Sequence, residues 1–115
     1  MKKAVAGYHI LMILSAVDGK FNAREDMVIM NWMSRKFPLF LDTDAEMETL
    51  SALNPKDYMI HFTNCMNAFY KQSTEHERNE LIQFAMDLVK ADKKISREEN
   101  IYLHELFSEW SEEED

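Results

Sequence analysis

Apolar residues recur along the chain with the three- and four-residue spacing of amphipathic helices, and they divide it into six predicted helices. The first, residues 4–17, is apolar on most faces, as expected for a helix at the centre of a bundle, and Gly19 follows as a stop signal. The second starts at Asn22 and ends before Pro38, because the residue preceding a proline avoids the α region. Its predicted apolar stripe comprises Met27, Val28, Ile29, Met30, Trp32, Met33 and Phe37.

The middle of the chain predicts a short third helix and a longer fourth one. A loop at residues 39–43 precedes the third helix. Asn54 followed by Pro55 ends it and begins the fourth helix, with an N-cap and a proline at the first helical position. The fourth helix then runs to about Gln72. The predicted inward residues of these two helices are Met47, Leu50, Leu53, Tyr58, Phe62, Cys65, Met66, Phe69 and Tyr70.

The last two helices also carry capping signals. Thr74 is predicted to cap the fifth helix, with Glu77 completing a capping box, and the sixth helix starts at Ser96. Four acidic residues at 112–115 oppose the dipole at the end of the sixth helix, so this end is predicted to fray. The predicted inward residues are Leu81, Phe84, Ala85, Leu88, Leu103, Leu106, Phe107 and Trp110. The pattern therefore predicts one all-α domain over residues 1–115, a compact bundle of about six helices.

Composition agrees with this prediction. The 115 residues include only two glycines and two prolines, fewer than the turns of a β-rich fold require, and nine methionines. The apolar stretch after Met1 also resembles a secretion signal, but Tyr8 and His9 in its middle argue against one. The stretch is shorter than the roughly 20 residues that span a bilayer. We therefore expect a buried first helix.

Charge and cysteine content limit the possible partners and the compartment. The net charge of −8 disfavours nucleic acids and anionic membranes and favours basic peptides or cations, although it also serves solubility alone. Cys65 is the only cysteine, which excludes an internal disulfide and is too few for a cysteine zinc cluster. It lies in an apolar stripe and is interpreted as a buried, inert thiol. These features predict a cytoplasmic protein.

A weak internal repeat at an offset of 74 residues aligns residues 18–25 with residues 92–99. Each copy follows an apolar helix and precedes an amphipathic one. Two copies are too few for a solenoid, so they predict two similar helical hairpins. The matched pairs are Asp18 with Asp92, Phe21 with Ile95, Asn22 with Ser96, and Glu25 with Glu99.

The pattern Asp-Gly-x-apolar-Ser/Asn-x-x-Glu between helix pairs resembles the TerB-like family of tellurite-resistance proteins. That family includes tellurite-resistance protein B and the N-terminal domain of a membrane-anchored J-domain co-chaperone, and the resemblance covers nearly the whole chain. It implies a helical bundle with a non-enzymatic binding or scaffolding role in a stress response. Two departures are Lys93, where the family usually has glycine, and the lack of a His-Pro-Asp tripeptide, so no J-domain is expected.

The resemblance further implies a divalent-cation site, with calcium as the candidate ion. Calcium takes about six to eight oxygen ligands, which carboxylates and loop carbonyls supply. The predicted ligands are the acidic residues of the two repeat copies, namely Asp18, Glu25, Asp92 and Glu99.

The same glutamates also fit a purely structural role. Each lies three residues after an N-cap residue, Asn22 or Ser96, as in a capping box. Lys20 and Lys94 occupy positions where an EF-hand loop has aspartate, and neither loop has the EF-hand spacing. Capping alone, capping with weak cation binding, and a dedicated cation site remain as alternatives.

The other chemical motifs predict no catalytic residue. No histidine lies three residues after a glutamate, so the di-iron bundle pattern is missing. His9 and His61 lie in apolar helices, where a core or interface histidine is more common than a ligand, and His76 is predicted to face solvent. The sequence has no phosphate-binding glycine loop and no nucleophile elbow.

Three functional hypotheses follow. The first is a non-enzymatic binding or scaffolding module with a protein partner and weak divalent-cation binding. The second is a structural interaction domain, a monomer or weak homo-oligomer, that associates through exposed methionine and aromatic side chains. The third is a small enzyme with an unrecognised acid–base pair, which a polar pocket holding a perturbed carboxylate would favour.

Overall fold

The computed structural model describes residues 2–16, 23–37, 42–90 and 97–111. These residues form six α-helices and one short 3₁₀ turn, and they contain no strand. The predicted all-α bundle of about six helices is therefore confirmed. The helices are α1 (Lys3–Ala16), α2 (Ala23–Lys36), α3 (Thr43–Ser51), α4 (Tyr58–Gln72), α5 (Glu75–Lys90) and α6 (Arg97–Ser111).

Helix α1 lies at the centre of the bundle, as its sequence predicts. It packs against each of the other five helices, most extensively against α4 and α2. Eleven of its 14 residues are buried. A helix that is apolar on all faces removes its apolar surface from water only when other helices surround it. The position of α1 therefore brings any polar side chain on it into the core.

Three residues predicted to face inward are exposed. Met27 and Val28 on α2 are 65% and 46% exposed, and Phe107 on α6 is 40% exposed. Met27 lies two residues before the buried Ile29, which is about 200° around the helix and so on the opposite face. The predicted stripes were too wide at these positions. The residues that these two helices bury in the core are Ile29, Trp32, Met33, Tyr102, Leu103, Leu106 and Trp110.

The predicted capping box of α5 is confirmed, whereas Asn54 caps a short 3₁₀ turn, Pro55–Asp57, and α4 itself begins after Asp57, whose side chain makes no capping bond. The Asn54 side chain accepts a hydrogen bond from the Lys56 amide at 3.2 Å, and a 3₁₀ turn from Pro55 leads into α4. The Glu77 amide donates to the Thr74 hydroxyl at 3.1 Å, and the Thr74 amide donates to the Glu77 carboxylate at 2.9 Å. These reciprocal bonds satisfy two amides that the first turn of a helix leaves unpaired.

Helix α3 has a cap that the sequence reasoning missed. The Asp42 carboxylate accepts from the Ala45 amide at 3.1 Å, which fixes the start of α3. Of its predicted apolar face, Leu50 is buried and Met47 and Leu53 pack against the core.

Several predictions lie outside the described residues. They are the stop at Gly19, the role of Pro38 in ending α2, the loop residues 39–41, the acidic tail at 112–115, and residues 18–22 and 92–96 of the two repeat copies. Among the described residues, no helix is both long enough and apolar enough to cross a membrane.

Candidate metal centre

Two histidines meet inside the bundle where α1 packs against α4. His9 on α1 is 2% exposed, and His61 on α4 is half-buried. His9 Nδ1 lies 2.8 Å from His61 Nε2, a hydrogen-bonding distance, although 52 residues separate them in the chain. Buried polar groups are costly unless they are paired. The contact therefore satisfies one nitrogen of each ring.

Cys65 adds a sulfur to this pair. It follows His61 by four residues on α4, so both side chains lie on the same face of that helix. One donor atom from each of His9, His61 and Cys65 lies within 4.8 Å of the other two. Two nitrogens and one sulfur thus converge from two helices.

Glu46 on α3 holds the far side of the His9 ring. Its Oε1 lies 2.6 Å from His9 Nε2, the nitrogen that points away from His61. Histidines that bind a metal through one ring nitrogen commonly donate the other N–H to a carboxylate. Glu46 is therefore placed as a partner of a ligand rather than as a ligand itself.

The hydrogen-bonding pattern fixes the donor roles in the neutral histidine pair. The Glu46 carboxylate only accepts, so His9 donates from Nε2. His9 Nδ1 then carries a lone pair and accepts the proton of His61 Nε2. The His9 lone pair is consequently directed at the space between the two rings, where a cation would bind.

The surroundings keep the other two donors uncharged. Burial, and then electrostatic interaction with the neighbouring His9 ring, lower the pKa of His61. Burial, and then the Glu46 carboxylate, raise the pKa of the Cys65 thiol to about 12. Neutral imidazole is the form that binds a metal. Cys65 must instead lose its proton when a metal binds.

The donor set suits zinc-like cations and not calcium. Zinc binds imidazole nitrogen and thiolate sulfur with tetrahedral geometry, whereas calcium requires oxygen ligands. With Zn–N distances of about 2.1 Å and Zn–S of about 2.3 Å, tetrahedral angles place the nitrogens about 3.4 Å apart and each nitrogen about 3.6 Å from sulfur. The rings, at 2.8 Å, must separate slightly and give up their hydrogen bond. Three protein donors leave one position of a tetrahedral zinc ion for a further ligand.

The predicted acidic site lies elsewhere, and only half of it is described. Glu25 is half-buried in the first turn of α2, and Glu99 is 3% exposed in the first turn of α6. Asp18 and Asp92 lie outside the described residues. Within the described ranges, His9, His61 and Cys65 form the one group of three or more His, Cys, Asp or Glu donors at ligand distance. The four-carboxylate site and the capping alternative both remain predictions.

A cavity also lies between α2 and α5. It is a shallow cavity of about 160 Å³ beside the stacked rings of Trp32 and Phe84, whose centroids are 4.5 Å apart. Lys36 and Glu80, which form an ion pair, also line it. The third charged group of its lining, the Asp87 carboxylate, accepts a hydrogen bond from the Gln83 amide at 3.1 Å, so each charged side chain of the lining already has a partner. His76 on α5 is exposed, as predicted.

Considered one at a time, His9, His61 and Cys65 were each predicted to be core residues, and their convergence was not predicted. It was correct that His9 and Cys65 are buried. The available signal was the spacing of His61 and Cys65, which places two metal-binding side chains on one helical face. Their relation to His9 and Glu46 depends on how three helices pack.

Comparisons with protein-family models, curated proteins and solved structures find no match for this chain. The resemblance to the TerB-like family therefore remains a prediction, and the geometry of the site is the basis for a functional proposal.

Proposed function

We propose that this chain is a non-enzymatic binding module that takes up one zinc-like cation through His9, His61 and Cys65. The observation that supports the proposal is the convergence of two nitrogens and one sulfur within 4.8 Å in the interior of the bundle. The second observation is the Glu46 carboxylate, which orients His9 in the manner of a metal-binding histidine.

The alternative is a hydrogen-bonded core pair of histidines with no ligand. That alternative accounts for the 2.8 Å contact and for the Glu46 bond. It treats Cys65 as one more buried side chain of the α4 stripe, and it leaves His9 as a polar ring on an otherwise largely apolar central helix. Metal binding explains all four side chains together, and the two interpretations differ in a measurable way.

Metal uptake would link the central helix to α4. Both ligand-bearing helices belong to the core, so a bound cation adds a cross-link between them that the unfolded chain lacks. The TerB-like resemblance, itself a proposal, places such a module in a stress response. In this setting the cation regulates the module or is its cargo, and no chemical step is assigned to it.

The test is a titration of metal-free protein with Zn²⁺ by calorimetry, and with Co²⁺ by absorption. We expect one saturable site per chain, with the charge-transfer absorption of a Co²⁺–thiolate bond. Cys65→Ser removes that absorption, and His61→Gln weakens binding by about 100-fold or more because a three-ligand site loses one ligand. His104→Gln, a matched change on the exposed face of α6, leaves binding unchanged.

Two results would contradict the proposal. One is the lack of saturable binding in the wild-type protein. The other is equal zinc affinity in the wild type, Cys65→Ser and His61→Gln, which would place the ion elsewhere.

Calcium binding at the acidic repeat is the second candidate, favoured by the deep burial of the Glu99 carboxylate at 3% exposure. Calcium in the same calorimetric experiment tests it, with the double variant Glu25→Gln/Glu99→Gln as the comparison. Saturable calcium heat that disappears in this variant, and persists in Cys65→Ser, would assign a separate oxygen site. A calcium response that survives the double change would rule out these ligands.

A role in protein association is supported by exposed apolar side chains. Met27 and Val28 form an adjacent pair on the outer face of α2, and Ile60 is 63% exposed on α4. The net charge of −8 favours a basic partner. Sedimentation velocity over a wide concentration range tests self-association, and a strict monomer at the highest concentration would exclude a homo-oligomer.

A further inference from the structure

Helix α3 has a small hydrophobic attachment to the rest of the bundle. Leu50 is its one buried side chain among those described, and Met47 and Glu46 are half-buried. The nine-residue helix packs mainly against α1. Helices this short are unstable by themselves in water, so α3 depends on its docking contacts.

The side-chain hydrogen bond that joins α3 to another helix is made to His9, a residue of the candidate metal centre. Among its described side chains, Glu46 is the one that hydrogen-bonds another helix, and its partner is His9. The sequence of α3 contains acidic residues and no Lys or Arg. A change of charge or protonation at His9 is therefore transmitted directly to the docking of an acidic helix.

We propose that metal occupancy of the centre controls the docking of α3 on α1 through the Glu46–His9 hydrogen bond. This inference rests on the proposed function of the site. When His9 binds a cation through Nδ1, its proton is confined to Nε2, where it faces Glu46. The cation also withdraws electron density from the ring and makes Nε2–H a better donor.

Electrostatics acts in the same direction. A dication that displaces one proton from Cys65 adds one net positive charge close to Glu46. The Nε2 proton already faces Glu46 in the metal-free pair, so the gain on metal binding comes from the added charge and from polarisation of the His9 ring. Undocking of α3 uncovers the part of α1 beneath Leu50, so metal loss exposes apolar surface at the centre of the fold.

The first measurement is hydrogen exchange of the α3 amides with and without saturating Zn²⁺. In the wild type we expect zinc to slow α3 exchange about tenfold, a usual size for coupling between sites, while α5 amides serve as an internal reference. Glu46→Ala still binds zinc, about 10- to 100-fold more weakly, but its α3 exchange no longer responds. Glu48→Ala, an exposed glutamate on the same helix, behaves as the wild type. Glu46→Gln keeps an acceptor oxygen for the His9 hydrogen bond. Its α3 exchange should therefore respond to zinc less than in the wild type and more than in Glu46→Ala.

The second measurement uses the reciprocity of coupled equilibria. If zinc favours docking, then weaker docking reduces zinc affinity by the same factor. Leu50→Ala loosens α3 and alters no ligand, and we expect it to weaken zinc binding about fivefold or more. Circular dichroism confirms that the variant is folded.

The outcomes separate the two proposals. Zinc binding in the wild type with unchanged α3 exchange, or unchanged zinc affinity in Leu50→Ala despite faster α3 exchange, overturns the coupling and leaves the metal site intact. No saturable zinc binding in the wild type overturns both.

Discussion

At the scale of single residues, the bundle places chemically versatile side chains where water is excluded. Cys65 and His9 are nearly inaccessible, and each has a polar neighbour whose position depends on a different helix. Burial favours the neutral form of an ionisable side chain. His61 and the Cys65 thiol are therefore kept uncharged beside His9, and the reactivity of the thiol is low.

We expect Cys65 of the metal-free protein to react slowly with a maleimide at pH 8. Burial raises the pKa of Cys65 to about 12, so little thiolate is present, and the sulfur is shielded. Mass spectrometry of the labelled chain measures the rate directly, because this is the only cysteine. The rate should rise steeply in denaturant. Rapid stoichiometric labelling of the folded protein would contradict the burial of this thiol.

Zinc affinity should increase with pH in the neutral range. Cys65 is protonated in the metal-free protein and ionised in the complex, so binding releases its proton. One released proton corresponds to about a tenfold gain in affinity per pH unit. Competition with a chelator at several pH values measures the slope. Cys65→Ser should bind weakly and with a flat profile, and an equally steep slope in that variant would exclude Cys65 as a ligand.

At the scale of elements, helix ends position the site. Asp42 fixes the start of α3 and thereby the place of Glu46 on its first turn, and Asn54 begins the turn that leads into α4. The Thr74–Glu77 capping box starts α5, and Lys3 of α1 forms an ion pair with Glu77 at 2.8 Å. These local contacts orient helices whose inner faces then meet.

Glu77 should contribute to stability above its ordinary pKa and lose this contribution in acid. Burial raises the pKa of Glu77, but hydrogen bonds from the Lys3 ammonium and the Thr74 amide outweigh it, so the pKa is lowered below the usual 4.5. The folded state therefore favours the carboxylate. Stability from this group is present above about pH 4.5 and is lost as the pH falls through the lowered value.

The measurement is urea unfolding from pH 7 to pH 3 in the wild type and in Glu77→Gln. The variant should be less stable at pH 7 and should lose less stability on acidification. Glu75→Gln, an exposed change in the same first turn, is the control. Parallel pH profiles for the wild type and Glu77→Gln would show that the ion pair and capping bonds do not lower the pKa of this residue.

At the scale of the whole molecule, one apolar helix organises the fold and carries the candidate metal ligand His9. Because α1 contacts every other helix, an event at His9 reaches α4 through His61 and α3 through Glu46. A cation bound at this point stabilises the folded chain as a unit, whereas a surface ion would affect one loop.

We expect removal of bound zinc to lower the melting temperature of the wild type. A ligand that binds only the folded state adds about 2.7 kcal/mol to the free energy of unfolding at a free concentration 100 times its Kd. Differential scanning calorimetry in zinc and in excess chelator measures the change. His61→Gln should melt at the same temperature in both buffers, and His104→Gln should respond as the wild type does. A chelator effect that persists in His61→Gln would point to a different ion site.

The sequence alone determined the helical class, the number of helices, and the capping box of α5. These properties depend on residues three or four positions apart, so the pattern contains them. It also determined that α1 is central, because a helix with no polar face has no side to present to water.

Tertiary structure decided which residues form the site and where each apolar stripe ends. Met27 and Phe107 fit the periodicity but face outward, because the neighbouring helices do not reach them. His9 and His61 meet across 52 residues only because α1 and α4 pack in one register, and Glu46 reaches His9 from a third helix. The four-residue spacing of His61 and Cys65 places these two on one helical face, but the meeting with His9 and Glu46 depends on packing between distant segments, which local spacing does not contain.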